Sequence, residues 1–474
     1  MSVTEIAANP AGGTGRSIFA ARYRVTTVGV LLLMTIIAFE ALAVATALPT
    51  AARSLHGLAG YGWAFTGFLL TSVIGMVASG LWSDRDGPRK PLLLGLALFV
   101  GALAVAAAAD TMTLLILARV VQGLAVGLLI TAMYVVMGDA YPDQLRPRML
   151  AALATAWIVP GLVGPVLAGW VTEQLSWRWV FGGLAPFAAV GGLLLVPALR
   201  RLAGGRRNQT AGTGGIRRLA FAVLTAAGIT GVAELGQRQS GLTAVAAVAG
   251  LAAMGYGLYR LLPVGTARFS AGVPAAIAFR GTLAGVFVGM EVLVPLTMSV
   301  QGHYSPTLTG LPLMLTAITW AGASQLQGRA SAVSRASFVR LGLALIALAG
   351  AAMALVAWQL LPAAAAFAVW PVAGAGAGFA LTTASAALME YTNDADRGSD
   401  SASLQLADSS LSAVTAAYSG ALVSLAATGR LSYATGLGIG FASMAVLAAL
   451  ATSRASRLRP AAAGDRVAVP ETVS

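Results

Sequence analysis

Long apolar runs, interrupted at short intervals by Gly, Pro and charged residues, make up most of this 474-residue chain. Such runs match the roughly 20 residues with which an α-helix crosses the hydrocarbon core of a bilayer, and they lack the short alternating pattern of a transmembrane barrel. The pattern therefore predicts an all-α integral membrane protein with fourteen transmembrane helices. The predicted spans lie near 27–49, 61–82, 91–109, 112–138, 149–172, 178–198, 219–236, 241–262, 272–300, 307–327, 337–358, 361–389, 403–427 and 431–452.

The composition agrees with this interpretation and excludes several kinds of chemistry. Hydrophobic residues account for 58% of the chain and charged residues for 10%, and the mean hydropathy is +0.81. Cysteine is absent, which excludes disulfides, thiolate metal sites and cysteine nucleophiles. The sequence also shows no metal-ligand cluster and no nucleophile paired with a base, so we expect neither an enzyme nor a resident metal or cofactor.

The basic residues are distributed unevenly along the chain. The net charge is +13, and most of the 30 Lys and Arg residues lie in the two tails and in alternate loops, above all in the linker 199–218. This is the positive-inside pattern of a multi-pass membrane protein, so nucleic-acid binding is not expected. It predicts cytoplasmic tails at 1–26 and 453–474 and contacts with membrane lipids. The Arg-rich composition, in which Lys90 is the single lysine, indicates a bacterial protein and hence a place in the cell inner membrane.

The chain contains an internal repeat at an offset of 251 residues. Both halves are predicted to be six-helix bundles, at 27–198 and 272–452, that start on the same face of the membrane and enclose a cavity between them. The offset leaves room for two additional helices at 219–262. The matched pairs are Glu40 with Glu291, Asp139 with Glu390, Asp143 with Asp394, Arg146 with Arg397, Arg89 with Arg340, Gly123 with Gly374, and Gly127 with Gly378.

The segment GLWSDRDGPRK at 80–90 resembles the loop signature of the major facilitator superfamily. In that family this loop is a cytoplasmic latch that holds the outward-open state, which implies a contact of Asp84 with the second bundle and of Arg89 with Asp139. The corresponding stretch of the second half, SAVSRASFVR at 331–340, has no acid, so only one latch is expected to be intact. The residues that match the signature are Gly80, Asp84, Arg85, Gly87, Arg89 and Lys90.

Two further predicted helices, at 112–138 and 149–172, add motifs that indicate a transporter of the antiporter type. In RVVQGLAVG, Arg119 shares one helical face with Gln122, and an arginine inside an apolar helix is costly unless it faces a partner or a cavity. The segment GLVGPVLAGW is similar to the Gly-Pro motif of the antiporters in this superfamily, although Ala168 replaces a glycine. The residues assigned to the motif are Gly161, Gly164, Pro165 and Gly169.

The segment FEALAVATALP at 39–49 resembles the first-helix motif of the fourteen-helix drug:proton antiporters, the group that includes QacA and EmrB. Glu40 stands where that group has Asp, and Ala45 stands where it has Asn. The resemblance implies proton-coupled efflux of drugs by alternating access. Transport of an endogenous lipid or a secondary metabolite remains an alternative, as does a receptor that retains a transporter fold.

Four acidic residues lie inside predicted spans. Glu234 lies toward the outer end of its helix and is interpreted as a solvated boundary charge, which leaves Glu40, Glu291 and Asp408 as candidates. Desolvation favours the protonated carboxyl, and a nearby cation or water favours the carboxylate, so such groups can exchange a proton for a substrate. We therefore predict that transport is coupled to protons by Glu40, Arg119, Glu291 and Asp408. The alternative for each acid is a buried carboxyl that serves only helix packing.

The substrate is expected to be a hydrophobic small molecule that carries a positive charge. Aromatic rings attract cations and thioethers adapt to varied apolar shapes. The predicted substrate-binding residues are Gln122, Trp157, Met290, Trp320 and Asp408. We expect the protein to act as a monomer.

Overall fold

The computed structural model describes residues 17–142, 144–201, 220–221, 223–225, 227–228, 241–330, 333–393 and 396–460, and all the regular structure in these ranges is helical. The α-helices of the first half are α1 (Arg24–Ser54), α2 (Tyr61–Asp86), α3 (Arg89–Ala107), α4 (Met112–Ala140), α5 (Arg146–Gln174), α6 (Trp177–Gly182) and α7 (Leu184–Arg201). They are followed by α8 (Gly241–Leu261), α9 (Val273–Glu291), α10 (Val294–Val300), α11 (Pro306–Arg329), α12 (Arg335–Ala357), α13 (Ala366–Tyr391), α14 (Arg397–Ala427) and α15 (Tyr433–Thr452).

Helix boundaries fall where the sequence supplies turn and capping residues. The turn between α2 and α3 is made by Gly87, whose φ of 83° suits glycine, and by Pro88, the N-cap of α3. Thr111 caps α4 by accepting a hydrogen bond from the Leu114 amide at 3.2 Å. Short capped turns of this kind keep successive apolar helices antiparallel.

Eleven spans within the described ranges are long and apolar enough to cross a membrane. They include α6 with α7 as one span and α9 with α10 as another. The helix predicted at 241–262 is present as α8, and most of the span predicted at 219–236 lies outside the described residues. The protein is therefore an all-helical membrane protein, and the count of fourteen spans stays a prediction.

The helices form two packed sets that correspond to the two sequence repeats. In the first set, α1 packs on α5 and α7, and α4 packs on α2 and α3. In the second set, α9 packs on α14, and α13 packs on α11 and α12. The two sets meet where α2 packs on α14 and α5 packs on α11, so these four helices line the junction between the halves.

Equivalent hydrogen bonds define the repeat more finely than the sequence does. The Thr71 hydroxyl donates to the Val120 carbonyl at 2.6 Å, and the Thr319 hydroxyl donates to the Pro371 carbonyl at the same distance. Val120 and Pro371 are 251 residues apart, whereas Thr71 and Thr319 are 248 apart. The offset of 251 therefore relates α4 to α13 but not α2 to α11.

The third helix of each half follows yet another offset. An added Cβ on Gly95 would meet the Ala125 carbonyl, and one on Gly342 would meet the Gly376 carbonyl. These glycines are 247 residues apart although their partners are 251 apart. The predicted match of Arg89 with Arg340 is thus wrong, because the connecting segments of the two halves differ in length.

The two halves touch closely on one face of the molecule. We call the face with the helix ends at residues 24, 86, 140, 335 and 452 the terminal face, and the other the opposite face. Near the opposite face, an added Cβ on Gly62 would lie 2.1 Å from the Gly420 Cα, and one on Gly169 would lie 2.4 Å from the Pro306 carbonyl oxygen. The backbones of both junctions are therefore in contact there.

Toward the terminal face the same helices separate. The contact of α5 with α11 extends to Gly161 and Ala317, where an added Cβ would lie 3.1 Å from the alanine side chain. Beyond it, added methyl groups on Gly322 and Gly328 of α11, and on Gly80 of α2, would meet nothing within 4 Å. The halves are therefore closed at the opposite face and apart at the terminal face.

Candidate functional site

A buried charged cluster joins α1, α2 and α4. Glu40 is 0% exposed and Arg119 is 2% exposed, and the Arg119 guanidinium forms an ion pair with Glu40. Arg119 Nη1 also donates to Gln122 Oε1 at 2.9 Å, and its Nε donates to the Ala64 carbonyl at 3.2 Å. The guanidinium lies over the Phe68 ring, 4.2 Å from its centroid. Three of the predicted residues, Glu40, Arg119 and Gln122, thus meet in one place.

The cluster has unused hydrogen-bonding capacity. Glu40 Oε2 and Gln122 Nε2 are buried and have no hydrogen-bond partner. A buried polar atom without a partner is costly, and a protonated carboxyl can donate where a carboxylate can only accept. The cluster can therefore form further hydrogen bonds through these two atoms while Arg119 holds Glu40 in position.

A second ion pair lies closer to the terminal face and within the second half. Arg280 of α9 donates through Nε to Asp408 Oδ2 of α14 at 2.8 Å, and Arg280 Nη2 lies 2.7 Å from the same oxygen. Arg280 Nη1 donates to Ser385 Oγ of α13 at 3.1 Å. The two charged side chains are 24% and 17% exposed. The predicted site residue Asp408 thus has its charge balanced by an arginine.

Glu291 differs from the other two acids. It is the last residue of α9, next to the break between α9 and α10, and it is partly exposed. The Tyr61 hydroxyl of α2 donates to the adjacent Val292 carbonyl at 2.8 Å. Within the part of the chain that the structure describes, Glu291 has no ion pair and no side-chain hydrogen bond. The predicted cluster of three acids is therefore two balanced acids and one unbalanced acid.

The latch residues lie at the terminal face. Asp84, Arg85, Arg89, Lys90 and Asp139 are exposed. In the described ranges Asp84 and Asp139 form no ion pair, so the expected contacts of Asp84 with the second bundle and of Arg89 with Asp139 are not formed in this conformation. The loop is instead held by Asp86, which accepts a hydrogen bond from Lys90 Nζ at 2.9 Å.

The second half forms an ion pair between the equivalent helix ends. Arg335, the first residue of α12, makes an ion pair with Glu390 near the end of α13. Glu390 is the repeat partner of Asp139 at the offset of 251. The second half thus has an ion pair that connects the start of α12 to the end of α13.

The Gly-Pro motif lies in the closed part of the junction between the halves. Gly161 faces Ala317, Gly169 faces the Pro306 carbonyl, and the Pro165 carbonyl faces Gly310, where an added Cβ would lie 2.4 Å from the oxygen. Gly164 instead faces Phe39 of α1, where an added Cβ would be 3.5 Å from the ring. The motif therefore allows close backbone contact between α5 and α11.

The predicted lining residues are distributed differently. Trp157 is 42% exposed and lies one turn from Gly161 toward the terminal face. Trp320 is partly exposed and contacts the Phe287 ring at a centroid distance of 5.4 Å. Met290 is 0% exposed, and an added Cβ on Gly350 would lie 2.7 Å from its sulfur. The two tryptophans thus lie beside the opening between the halves, whereas Met290 is packed inside the second half.

Sequence reasoning missed Arg280 as the partner of Asp408 and Phe68 as the ring beneath Arg119. Arg280 carried the same signal as Arg119, since it too is an arginine inside an apolar span. Phe68 carried no comparable signal, because one aromatic residue in an apolar helix resembles many others.

Comparison with known proteins identifies several relatives. Over 153 residues the chain is 31% identical to the multidrug transporter protein MdtP of Bacillus subtilis, a match that covers 32% of this chain and 28% of that protein. Over 152 residues it is 34% identical to a probable multidrug-efflux transporter of Mycobacterium tuberculosis, which covers 32% of each. The matches thus span about a third of the length of these relatives.

Solved structures resemble the chain over nearly all of its length. A POT family transporter in complex with 5-aminolevulinic acid matches with a TM-score of 0.69 and 13% identity, covering 94% of this chain and 98% of that one. The human organic anion transporter MFSD10 matches with a TM-score of 0.58 and 15% identity, covering 92% and 99%. The family model of the Major Facilitator Superfamily matches residues 30–416. The chain therefore belongs to the Major Facilitator Superfamily, a family of membrane transporters and not of enzymes.

Proposed function

We propose that the protein is a proton-coupled antiporter that exports hydrophobic cationic small molecules. The observation that carries this proposal is the buried cluster of Glu40, Arg119 and Gln122, in which an acid and its counter-ion are enclosed next to the junction between the halves. Ionisable residues inside a membrane are expensive and commonly mark proton or substrate sites. The multidrug names of the two bacterial relatives support the efflux of drugs.

Alternating access would follow from rocking of the two halves about the cavity between them. We assign the terminal face to the cytoplasm because it carries most of the basic residues, with the protein in the cell inner membrane as a monomer. The described conformation, closed at the opposite face, would then be inward-facing and ready to receive substrate. Outward opening would separate α5 from α11 and bring the latch residues together.

In the proposed cycle a proton from outside binds Glu40, Arg119 sets how readily it binds, and substrate near Glu291 and Asp408 is released. Each elementary charge that crosses a potential of 100 mV contributes about 2.3 kcal/mol. Each unit of pH difference contributes about 1.4 kcal/mol per proton. One or two protons are therefore sufficient for substantial accumulation against a gradient.

Transport in inverted membrane vesicles tests the proposal. With an acidic lumen, vesicles that contain the wild-type protein should accumulate a hydrophobic cationic dye, and Glu40→Gln should abolish this accumulation while retaining exchange of unlabelled for labelled dye. Glu40→Asp, which keeps a carboxyl, should retain part of the accumulation. Full gradient-driven uptake by Glu40→Gln would contradict the coupling role, and dye binding without exchange in the wild type would indicate a receptor.

A further inference from the structure

The Glu173 carboxylate connects the two halves at the opposite face. Glu173 is the residue before the end of α5, and its side chain is exposed. Its Oε2 accepts a hydrogen bond from the Thr307 hydroxyl of α11 at 2.6 Å and a longer one from the Thr307 amide at 3.4 Å. An acid of the first half therefore contacts the first turn of a helix in the second half.

The start of α11 lacks the usual cap from its own N-cap side chain. The first amides of a helix have no partner within the helix, and the N-cap side chain commonly accepts a hydrogen bond from one of them. Ser305, the N-cap residue of α11, makes no such bond, and the first turn contains no acid. Pro306, the first residue of α11, has no amide hydrogen to donate. Glu173 therefore accepts from the first available amide of α11 and caps this helix from the other half.

The close approach of the two backbones brings Glu173 to Thr307. An added Cβ on Gly169 would lie 2.4 Å from the Pro306 carbonyl oxygen and 2.7 Å from the Thr307 Cα. Glu173 lies one helical turn after Gly169, on the same face of α5. Its hydrogen bonds to α11 therefore depend on contact between the two helices, and they are lost when the halves separate at this face.

The charge of Glu173 is not balanced by a base. Arg178, the nearest base along the chain, donates to the Ala109 carbonyl at 2.8 Å and lies over the Trp177 ring. In the part of the chain that the structure describes, Glu173 forms no ion pair. A helix N-terminus has a partial positive charge, which a carboxylate stabilises more than a neutral side chain does. The charge of Glu173 therefore strengthens the contact between the halves.

We propose that Glu173 stabilises the closed opposite face by capping α11 across the junction, and that it thereby sets how often this face opens. Opening would separate the carboxylate from Thr307 and leave both with water as their partner, so ionised Glu173 favours the inward-facing state. This assignment rests on the alternating access of the proposed function. It gives the opposite face a residue with the role that the latch has at the terminal face.

Opening of the opposite face is measured on the purified full-length protein by the reaction of one introduced cysteine with a maleimide. The cysteine replaces Ala417, which is 1% exposed and lies with Leu70 where α14 packs on α2. Glu173→Ala should speed this labelling severalfold, and Glu173→Gln, which keeps an acceptor oxygen without the charge, should speed it less. Asp110→Ala is the matched control, because Asp110 is an exposed acid of the same face in the turn between α3 and α4, and it should leave the labelling unchanged.

The partner residue is tested independently. Thr307→Val removes the hydroxyl that donates to Glu173 and keeps the shape of the side chain, so it should also speed the labelling. Because both residues would act through one contact, Glu173→Ala combined with Thr307→Val should speed the labelling by less than the product of the two single effects. Gly169→Ala, whose methyl would hold the halves apart, gives the labelling rate of an open face.

The outcomes separate the assignment from the function. Unchanged or slower labelling in Glu173→Ala would overturn the assignment, and so would an equal acceleration by Asp110→Ala. Fully independent effects of Glu173→Ala and Thr307→Val would overturn it as well, because the two residues would then not act through one contact. The labelling needs neither substrate nor gradient, so a wild type that accumulates no dye in vesicles would overturn the proposed export and leave the labelling result as it is.

Discussion

At the scale of single residues, the pair of Glu40 and Arg119 is asymmetric. A carboxyl can take up a proton and become neutral, whereas a guanidinium keeps its charge. Glu40→Gln therefore leaves an unbalanced charge in a fully buried place, while Arg119→Gln leaves an acid that neutralises itself. We expect Glu40→Gln to lower the free energy of unfolding by about 3–5 kcal/mol and Arg119→Gln to lower it by less, as measured by denaturation in detergent.

The double variant provides the control for this asymmetry. Glu40→Gln combined with Arg119→Gln removes both charges, so it should be more stable than Glu40→Gln alone and show a coupling energy in the double-mutant cycle. Equal losses from the two single variants, with no recovery in the double variant, would mean that the ion pair is not what stabilises this region.

The sequence allowed the acids and Arg119 to be singled out because charge is rare in this chain and costly in lipid. It did not allow the pairing to be derived. Whether Arg280 reaches Asp408 depends on which face of α9 meets α14, and Asp408 is 128 residues away along the chain. That choice is set by side-chain packing between helices, which a single sequence does not display.

At the scale of helices, the repeat was predictable where the connecting segments have equal length. The offset of 251 holds for α4 and α13, while α2 with α11 and α3 with α12 follow 248 and 247. A fixed offset cannot follow such changes, since short loops tolerate insertions and deletions better than packed helices do. The match of Arg89 with Arg340 failed for this reason. The match of Glu40 with Glu291 is wrong as well, because Arg119 pairs with Glu40, whereas its counterpart Trp370 stacks on Phe287, which is 247 residues after Glu40.

The contact of α5 with α11 gives a prediction at the same scale. Gly169→Ala should lower transport at least tenfold, because the new methyl would lie 2.4 Å from the Pro306 carbonyl oxygen and would hold the halves apart at the opposite face. Gly164→Ala is the matched control, since its methyl would lie 3.5 Å from Phe39, an ordinary contact distance. Uptake in vesicles at equal protein level measures both, and equal activity of the two variants would show that the close approach is dispensable.

At the scale of the whole molecule, the latch should stabilise the outward-facing state, whereas the closed junction should stabilise the inward-facing state. Asp84 has no ion pair in the described conformation, whereas the proposed outward-facing state engages it with the second half. Asp84→Asn should therefore destabilise only the outward-facing state and shift the population toward the conformation described here.

The natural absence of cysteine provides a direct measure of this shift. Ala417 is 1% exposed and lies with Leu70 where α14 packs on α2, so a cysteine introduced there should react with a maleimide only when the halves separate at the opposite face. Asp84→Asn should slow that labelling severalfold. Asp86→Asn, which removes the pair with Lys90 inside the loop, is the matched control and should slow it less. Unchanged labelling in Asp84→Asn would mean that the loop does not hold the outward-facing state, and faster labelling would mean that Asp84 stabilises the closed junction instead.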